Sequence, residues 1–225
     1  MLPRKTLATA QIPGGDTLTL VSHGRDYVIM LGRDELMGTR MQFSEEQLAA
    51  LTLERVTAPR PRVLIGGYGM GFTYRAALDA MDSGEVVVAE VVPEILEWAR
   101  GPLAELTSDS LADPRGQIVL CDVAALIDDA NDGTCDKFDA IMLDVDNGPD
   151  GIVRDGNERL YTRTGLGKAR DALRSGGVLA VWSAAPDAKF ARRLKDAGFA
   201  VEERVVRARP NNKGPRHIIW FARKT

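Results

Sequence analysis

Short apolar runs alternate with amphipathic stretches along most of the chain. Runs rich in β-branched or other apolar residues begin at Val63, Val86, Ile118, Ala140 and Val178. The amphipathic stretches that follow predict helices over residues 72–81, 94–106, 123–130, about 164–173 and 188–197. Because short strands that are apolar on both faces are typical of parallel sheets covered by helices, the pattern predicts a doubly wound α/β sheet.

The end of the chain departs from this alternation. Strand-like stretches at residues 199–208 and 217–222 have no helix between them, only a loop rich in Pro, Asn and Gly. They are expected to form an antiparallel hairpin. Five alternating units closed by a hairpin resemble the class I methyltransferase-like Rossmann fold, with a mostly parallel seven-stranded sheet. A dinucleotide dehydrogenase would usually continue with another strand and helix.

The first part of the chain predicts a smaller unit. Residues 17–21 and 27–31 alternate as strands do and flank the turn-prone Gly24, which predicts a β-hairpin. Ser44 precedes two acids and is expected to cap a helix. A stiff segment around Pro59 and Pro61 then marks a boundary. We therefore expect a short N-terminal hairpin and helix extension over 1–58 and a nucleotide-binding catalytic domain over 59–225.

A glycine-rich turn follows the first strand of the alternating region and leads directly into a helix. Glycines allow a tight turn and a close approach of a ligand to the backbone, and the helix start supplies free N–H groups. Simple tight packing is the alternative explanation. The turn predicts cofactor contacts from Gly66, Gly67, Tyr68, Gly69 and Gly71.

Acidic residues end the next two strands. Glu90, followed by Val91, lies about 20 residues after the glycine-rich turn, where a carboxylate can accept the ribose hydroxyls of an adenosine. Cys121, Asp122 and Val123 follow the third strand, and Asp122 can accept from an adenine amino group. Glu90 could instead be a solvated strand-end acid, and Asp122 could also cap the following helix. Together these residues predict an adenosine site.

Asp144 follows the fourth strand, at the sheet edge where ligands bind in open α/β folds. A carboxylate there could contact the cofactor, orient an attacking amine and accept its proton, which makes Asp144 the catalytic candidate. Asp146 and Asn147, in the same acidic loop, and Tyr161 are the candidate substrate-binding residues. The alternatives are a loop cap for Asp144, a solvated crossover for the loop and ordinary packing for Tyr161.

Composition limits the function classes. Acids and bases are mixed along the 225 residues, and the net charge of −3 includes no basic stripe, so a nucleic-acid partner is not expected. The two cysteines lack metal-ligand spacing, so no metal is expected and a reducing compartment fits. No stretch has the ~20 apolar residues of a membrane helix, so we expect no membrane partner and a cytoplasmic location.

Several segments resemble the spermidine synthase, or polyamine aminopropyltransferase, family. They are VLIGGYGMG, VVVAEVVPEILEWAR, FDAIMLDVDNGPDG and RLYTRTGLGKARDALRSGGVLAVWSAAP. The resemblance implies S-adenosylmethionine or its decarboxylated form as co-substrate, a small-molecule acceptor such as a polyamine, and a homodimer. It also implies that Glu90 holds the ribose, Asp122 contacts adenine and Asp144 helps to deprotonate the attacking amine.

One departure from the family pattern keeps other functions open. Family members carry an Asp inside the glycine-rich turn, where this sequence has Gly69. The leading hypothesis is a spermidine synthase-like transferase that moves an aminopropyl or other alkyl group from decarboxylated S-adenosylmethionine, or S-adenosylmethionine, to an amine or similar nucleophile. The alternatives are an S-adenosylmethionine-dependent methyltransferase of a small molecule and a non-catalytic adenosine-binding or oligomerisation module. A nicotinamide-dependent dehydrogenase is a more distant one.

Overall fold

The computed structural model of the chain describes residues 4–145, 148–149 and 155–225. The strands are β1 (Lys5–Gln11), β2 (Thr17–His23), β3 (Asp26–Leu31), β4 (Asp34–Gly38), β5 (Arg62–Gly66), β6 (Glu85–Glu90), β7 (Gly116–Leu120), β8 (Phe138–Leu143), β9 (Leu173–Ser183), β10 (Phe199–Arg209) and β11 (Lys213–Lys224). The helices are α1 (Phe43–Leu53), α2 (Phe72–Asp79), α3 (Pro93–Arg100), α4 (Ala104–Leu111), α5 (Val123–Asp132), α6 (Arg163–Ala172) and α7 (Ala188–Asp196), with a 3-10 helix at Asp155–Tyr161.

The larger sheet has seven strands in the order β10-β11-β9-β8-β5-β6-β7. Strands β9, β8, β5, β6 and β7 are parallel neighbours, whereas β11 is antiparallel to β9 and to β10. The predicted fold class, with its terminal hairpin, is confirmed. After β5 the chain adds strands on one side and then crosses to β8 on the other, so strand order reverses between β5 and β8. Ligands in such sheets bind beyond the strand ends at that point.

Alternate residues of each central strand pack into different hydrophobic clusters. In β5, Val63 and Ile65 join the cluster that contains the N-terminal sheet, while Leu64 joins the cluster around α5, α6 and α7. All three side chains are fully buried. Burial on both faces explains why these strands are apolar throughout instead of alternating with polar residues.

The N-terminal strands form a separate antiparallel sheet in the order β1-β2-β3-β4. The predicted hairpin is β2 and β3, and β1 and β4 flank it. Sequence reasoning missed the flanking strands because β1, KTLATAQ, carries small and polar residues and β4 is only five residues long. Leu20 and Ile29 of this sheet share a core with Val63 of the larger one. The division into 1–58 and 59–225 stays a prediction.

The single helix predicted over residues 94–106 is two helices, so that prediction was wrong. Helix α3 ends at Arg100, and α4 starts at Ala104 after Gly101 and Pro102. Proline has no backbone N–H and its ring collides with the preceding turn of a helix. The Gly-Pro pair therefore interrupts the apolar periodicity that continues on both sides of it.

The expected capping role of Ser44 is also wrong. Helix α1 already begins at Phe43, and its N-cap residue, Gln42, makes no side-chain capping bond. The Ser44 hydroxyl is instead 2.8 Å from Nδ1 of His217 in β11. This buried pair joins α1 to the C-terminal hairpin of the larger sheet.

No helix within the described ranges is long and apolar enough to cross a membrane.

Docking of α1 should contribute measurably to stability. Leu48 of α1 is fully buried, whereas Leu120 at the end of β7 is 56% exposed. We expect Leu48→Ala to lower the free energy of unfolding by about 2–5 kcal/mol, because it removes buried contacts and leaves a cavity. Leu120→Ala, the matched control, should change it by about 0.5 kcal/mol or less. Urea denaturation measures both, and equal losses would contradict this packing.

Candidate active site

A cavity lies beyond the carboxyl ends of β5, β6 and β8 and under the N-terminal sheet. Its N-terminal wall is apolar and is formed by Ile12, Leu18, Ile29, Leu36 and Met37. The opposite wall comes from strand ends of the larger sheet. Of the residues predicted from sequence, those that line the cavity are Gly67, Gly69, Glu90, Val91, Asp122, Val123 and Asp144.

The glycine-rich turn forms one side of the cavity through a close backbone contact. Gly67 has φ +87°, and a Cβ there would lie 2.6 Å from the carbonyl oxygen of Asp144. Its N–H donates to the carbonyl of Ala89 at 2.9 Å. Because a side chain would both strain the backbone and collide with the neighbouring turn, glycine is required here.

Glu90 ties this turn to the end of β6. Its Oε2 accepts the N–H of Tyr68 at 2.9 Å, and its Oε1 accepts the N–H groups of Val91 and Val92, each at 2.8 Å. Burial raises the pKa of Glu90, and these backbone N–H groups oppose the rise. The N–H of Gly69 also opposes the rise, so the glycine-rich turn and the start of α3 both direct N–H groups at the carboxylate of this cavity-lining residue.

Asp122 combines two roles that the sequence left open. Its Oδ1 accepts the N–H of Ala124 at 2.9 Å, which makes it the N-cap of α5. Its Oδ2 lies 2.9 Å from Nη2 of Arg159. The carboxylate also lines the cavity, on the same side as Val123. Capping thus fixes an acid at the cavity wall.

Asp144 is fixed by a hydrogen bond from the first turn of α2. The Thr73 hydroxyl donates to Oδ2 of Asp144 at 2.7 Å. Burial raises the pKa of Asp144 to about 6, and the Thr73 hydrogen bond opposes the rise. A carboxyl group with this pKa can change protonation state near neutral pH, as a proton acceptor in catalysis must.

A second buried acid, which the site predictions did not include, lies close to Asp144. Glu45 of α1 is 8% exposed and lines the cavity, and its backbone carbonyl is 3.3 Å from the Thr73 hydroxyl. Burial raises the pKa of Glu45 well above its usual value, and the charges of Asp144 and Glu46 raise it further. Its position four residues before Ala49 on the buried face of α1 was the signal in the sequence.

Met37 was also missed, because its contact with the glycine-rich turn joins two sheets. A Cβ at Gly69, where φ is +54°, would lie 2.6 Å from Cε and 2.7 Å from Sδ of Met37. The thioether therefore occupies the space that a side chain at position 69 would need. The cavity is apolar at this point of the turn.

Other predicted residues lie elsewhere. The Tyr68 ring is buried against Tyr74, with centroids 5.8 Å apart, and burial raises the pKa of Tyr68 to about 12. Tyr161 is buried with its ring edge toward Phe190. Three other predicted cofactor-binding residues do not line the cavity, although each is close in sequence to a residue that does: Gly66, Gly71 and Cys121.

Asp146 and Asn147 lie outside the described residues. Asn157, from the same crossover, is buried and lines the cavity. Trp182, at the end of β9, also lines it. In the part of the chain that the structure describes, no three His, Cys, Asp or Glu side chains cluster as metal ligands.

The sheet order, with its antiparallel terminal hairpin and an acid-lined cavity at the strand-order reversal, is that of a class I methyltransferase-like Rossmann fold. The chain is 32% identical over 124 residues to the polyamine aminopropyltransferase of Pyrobaculum calidifontis, a match that spans 55% of this chain and 42% of that protein. It is 34% identical over 124 residues to polyamine aminopropyltransferase 1 of Hyperthermus butylicus, spanning 54% of this chain and 40% of that one. These matches therefore span less than half of each relative.

Solved structures agree on the fold. The spermidine synthase of Thermotoga maritima superposes with a TM-score of 0.75 at 22% identity, covering 98% of this chain and 73% of that one. A spermidine synthase in complex with the transition-state analogue AdoDATO superposes with a TM-score of 0.74 at 22% identity, covering 98% of this chain and 72% of that one. No protein-family model matches the chain. The comparisons in sequence and in structure together support a spermidine synthase-like family.

Replacing Asp144 by Asn should stabilise the protein above neutral pH. A carboxyl whose pKa rises from 3.8 to about 6 on folding favours the folded state at low pH, and this contribution is lost as pH rises through 6. We expect Asp144→Asn to increase the free energy of unfolding by up to about 3 kcal/mol at pH 8. The difference should shrink toward zero near pH 4. Thermal and urea unfolding across this range measure it, and a gain independent of pH would contradict the explanation.

Proposed function

We propose that the chain is a spermidine synthase-like transferase that moves an aminopropyl group from decarboxylated S-adenosylmethionine to an amine. The sequence relatives bear the name polyamine aminopropyltransferase, and a structural neighbour was solved with a transition-state analogue. The single observation that carries the proposal is the partly buried carboxyl of Asp144, fixed by Thr73 at the reversal of strand order.

The donor's adenosine would lie along the strand-end acids. Glu90 is placed to accept from ribose hydroxyls, since it lines the cavity beside the glycine-rich turn. Asp122 lies at the end of the next strand, β7, where the adenine amino group would reach it. This arrangement directs the ribose 5′ side, and hence the sulfonium, toward Asp144 and Thr73.

The reaction needs positioning more than activation, because the sulfonium is already a good leaving group. The amine nitrogen attacks the aminopropyl carbon next to sulfur, a carbon–nitrogen bond forms, and the carbon–sulfur bond breaks. Its electron pair leaves with methylthioadenosine. The ionised Asp144 carboxylate accepts a hydrogen bond from the attacking nitrogen, orients its lone pair and takes its proton.

The name of the relatives, polyamine aminopropyltransferase, and the acidic lining of the cavity support a small amine as the acceptor. A polyamine or another small amine fits the acidic lining, and Asp146, Asn147 and Tyr161 remain predicted substrate-binding residues. A homodimer and a cytoplasmic location also remain predictions. The geometry described around Asp144 involves only described residues of this chain.

Removing the charge of Glu90 should weaken adenosine binding. We expect Glu90→Gln to weaken the affinity for methylthioadenosine by about 10-fold or more, because a carboxylate that accepts from ribose becomes a neutral amide. Glu97→Gln, on the exposed face of α3, is the matched control. Isothermal titration calorimetry measures both. An unchanged affinity in Glu90→Gln would remove Glu90 from the site.

Asp144→Asn should separate binding from turnover. We expect kcat for aminopropyl transfer to fall by about 100-fold or more while the affinity for methylthioadenosine changes by less than about 3-fold. In the unmodified protein, activity should decline as pH falls below about 6, where Asp144 becomes protonated. Asp171→Asn, at an exposed position in α6, serves as the control. Full turnover by Asp144→Asn would exclude its role as base.

A further inference from the structure

Two buried polar atoms of cavity-lining residues have no hydrogen-bond partner among the described residues. They are Oε2 of Glu45 and Nε1 of Trp182. Both side chains line the cavity, and they are 8% and 7% exposed. A buried carboxylate oxygen without a donor is costly to the fold. Such an atom at a cavity wall indicates a ligand group that donates hydrogen bonds.

The charged side chains of the described cavity lining are all acidic, and one of them, Asp122, pairs with Arg159 from outside the lining. Its charged residues are Glu45, Glu90, Asp122 and Asp144, and none of its described residues is Lys or Arg. Glu90 and Asp122 hold backbone N–H groups with their oxygens. Glu45 and Asp144 therefore provide the negative charge that is available to a cation at the reactive end.

Glu45 and Asp144 flank the same residue. Thr73 bonds the Asp144 carboxylate at 2.7 Å and lies 3.3 Å from the Glu45 backbone carbonyl. Apolar surface from Met37, packed on Gly69, continues the wall. A short alkyl chain that ends in an ammonium matches this combination of apolar wall and unpaired carboxylate.

We propose that Glu45 binds the terminal ammonium of the donor's aminopropyl arm and makes the site select decarboxylated S-adenosylmethionine over S-adenosylmethionine. This inference rests on the proposed function. With adenosine at Glu90 and the sulfonium at Asp144, the arm continues for only three carbons beyond sulfur, so its ammonium stays near Asp144. Glu45 is the adjoining acid with an unpaired oxygen.

Selection follows from the charge on the carbon that bears the amine. S-adenosylmethionine carries a carboxylate at that carbon, and the decarboxylated donor does not. The carboxylate would lie beside Asp144 and would oppose the ionisation of Glu45 that ammonium binding requires, with the neutral indole N–H of Trp182 as an unpaired donor in the same cavity lining. One neutral hydrogen bond does not offset repulsion between like charges in a poorly solvated site.

Binding of the ammonium should be linked to proton release. Burial and the charges of Asp144 and Glu46 favour the protonated form of Glu45, and Arg75 opposes them. A bound cation favours the ionised form, so binding lowers the pKa of Glu45 and expels a proton. Affinity for the decarboxylated donor should therefore rise with pH.

Calorimetric titration at pH 8 tests the assignment with methylthioadenosine, decarboxylated S-adenosylmethionine and S-adenosylmethionine. The proteins compared are the unmodified chain, Glu45→Gln and the control Glu97→Gln, which changes an exposed carboxylate of α3 outside the cavity lining. Thermal unfolding checks that each variant folds. Titrations in buffers of different ionisation enthalpy measure the protons released.

We expect the unmodified chain to prefer the decarboxylated donor to S-adenosylmethionine by about 10-fold or more. In Glu45→Gln the affinity for decarboxylated S-adenosylmethionine should fall by about 10- to 100-fold, and fewer protons should be released on binding. Its affinity for methylthioadenosine should stay within about 3-fold of that of the unmodified chain. Glu97→Gln should match the unmodified chain in all three affinities.

Three results would overturn the inference. One is an unchanged ratio of decarboxylated donor to methylthioadenosine affinity in Glu45→Gln, and another is equal binding of the two sulfonium donors by the unmodified chain. The third is an effect of Glu45→Gln confined to the KM of the amine acceptor. If methylthioadenosine binds normally in these cases, the proposed function survives. If the unmodified chain binds no adenosine ligand, the proposed function fails and the role of Glu45 fails with it.

Discussion

The carboxylate of Glu90 holds together the two turns on which the site depends. Its oxygens accept one N–H from the glycine-rich turn after β5 and two from the start of α3 after β6. Without this carboxylate, three buried backbone donors would lose their partner at the point where the sheet opens. The position of the turn, and through Gly67 its contact with Asp144, follows from this one side chain.

The site places carboxyl groups where the fold alone would not favour them. In the cavity lining Glu45 is buried and Asp144 is partly buried, and desolvation raises the pKa of each. Their ionised forms therefore oppose folding until a cation neutralises them. The shared core of the N-terminal sheet and the larger sheet stabilises the protein enough to retain this unfavourable arrangement.

The alternation of apolar runs and helices predicted the larger sheet because strands buried on both faces leave a strong local signal. The same alternation of apolar runs and helices located Glu90, Asp122 and Asp144, since each stands at or just after the end of an apolar run, and all three line the cavity. Glu45 was interpreted as a helix-start acid, because acids are favoured in the first turn. Its spacing of three and four residues from Leu48 and Ala49 places it on the buried face instead.

Contacts between distant segments could not be predicted in this way. Nothing near Met37 in the sequence indicates that its thioether packs on Gly69, because the contact exists only after the N-terminal sheet covers the larger one. The bond between Ser44 and His217 joins residues 173 positions apart. Such pairs depend on tertiary packing, which local periodicity does not encode.

The packing of Met37 on Gly69 couples two positions in different sheets. A side chain at position 69 would overlap the end of the Met37 thioether, and the positive φ of Gly69 adds backbone strain. Because the overlapping atoms are the end of a flexible side chain, Met37 can move aside, but it then leaves its place in the apolar wall. The free-energy change of a substitution at position 69 should therefore depend on the residue at position 37.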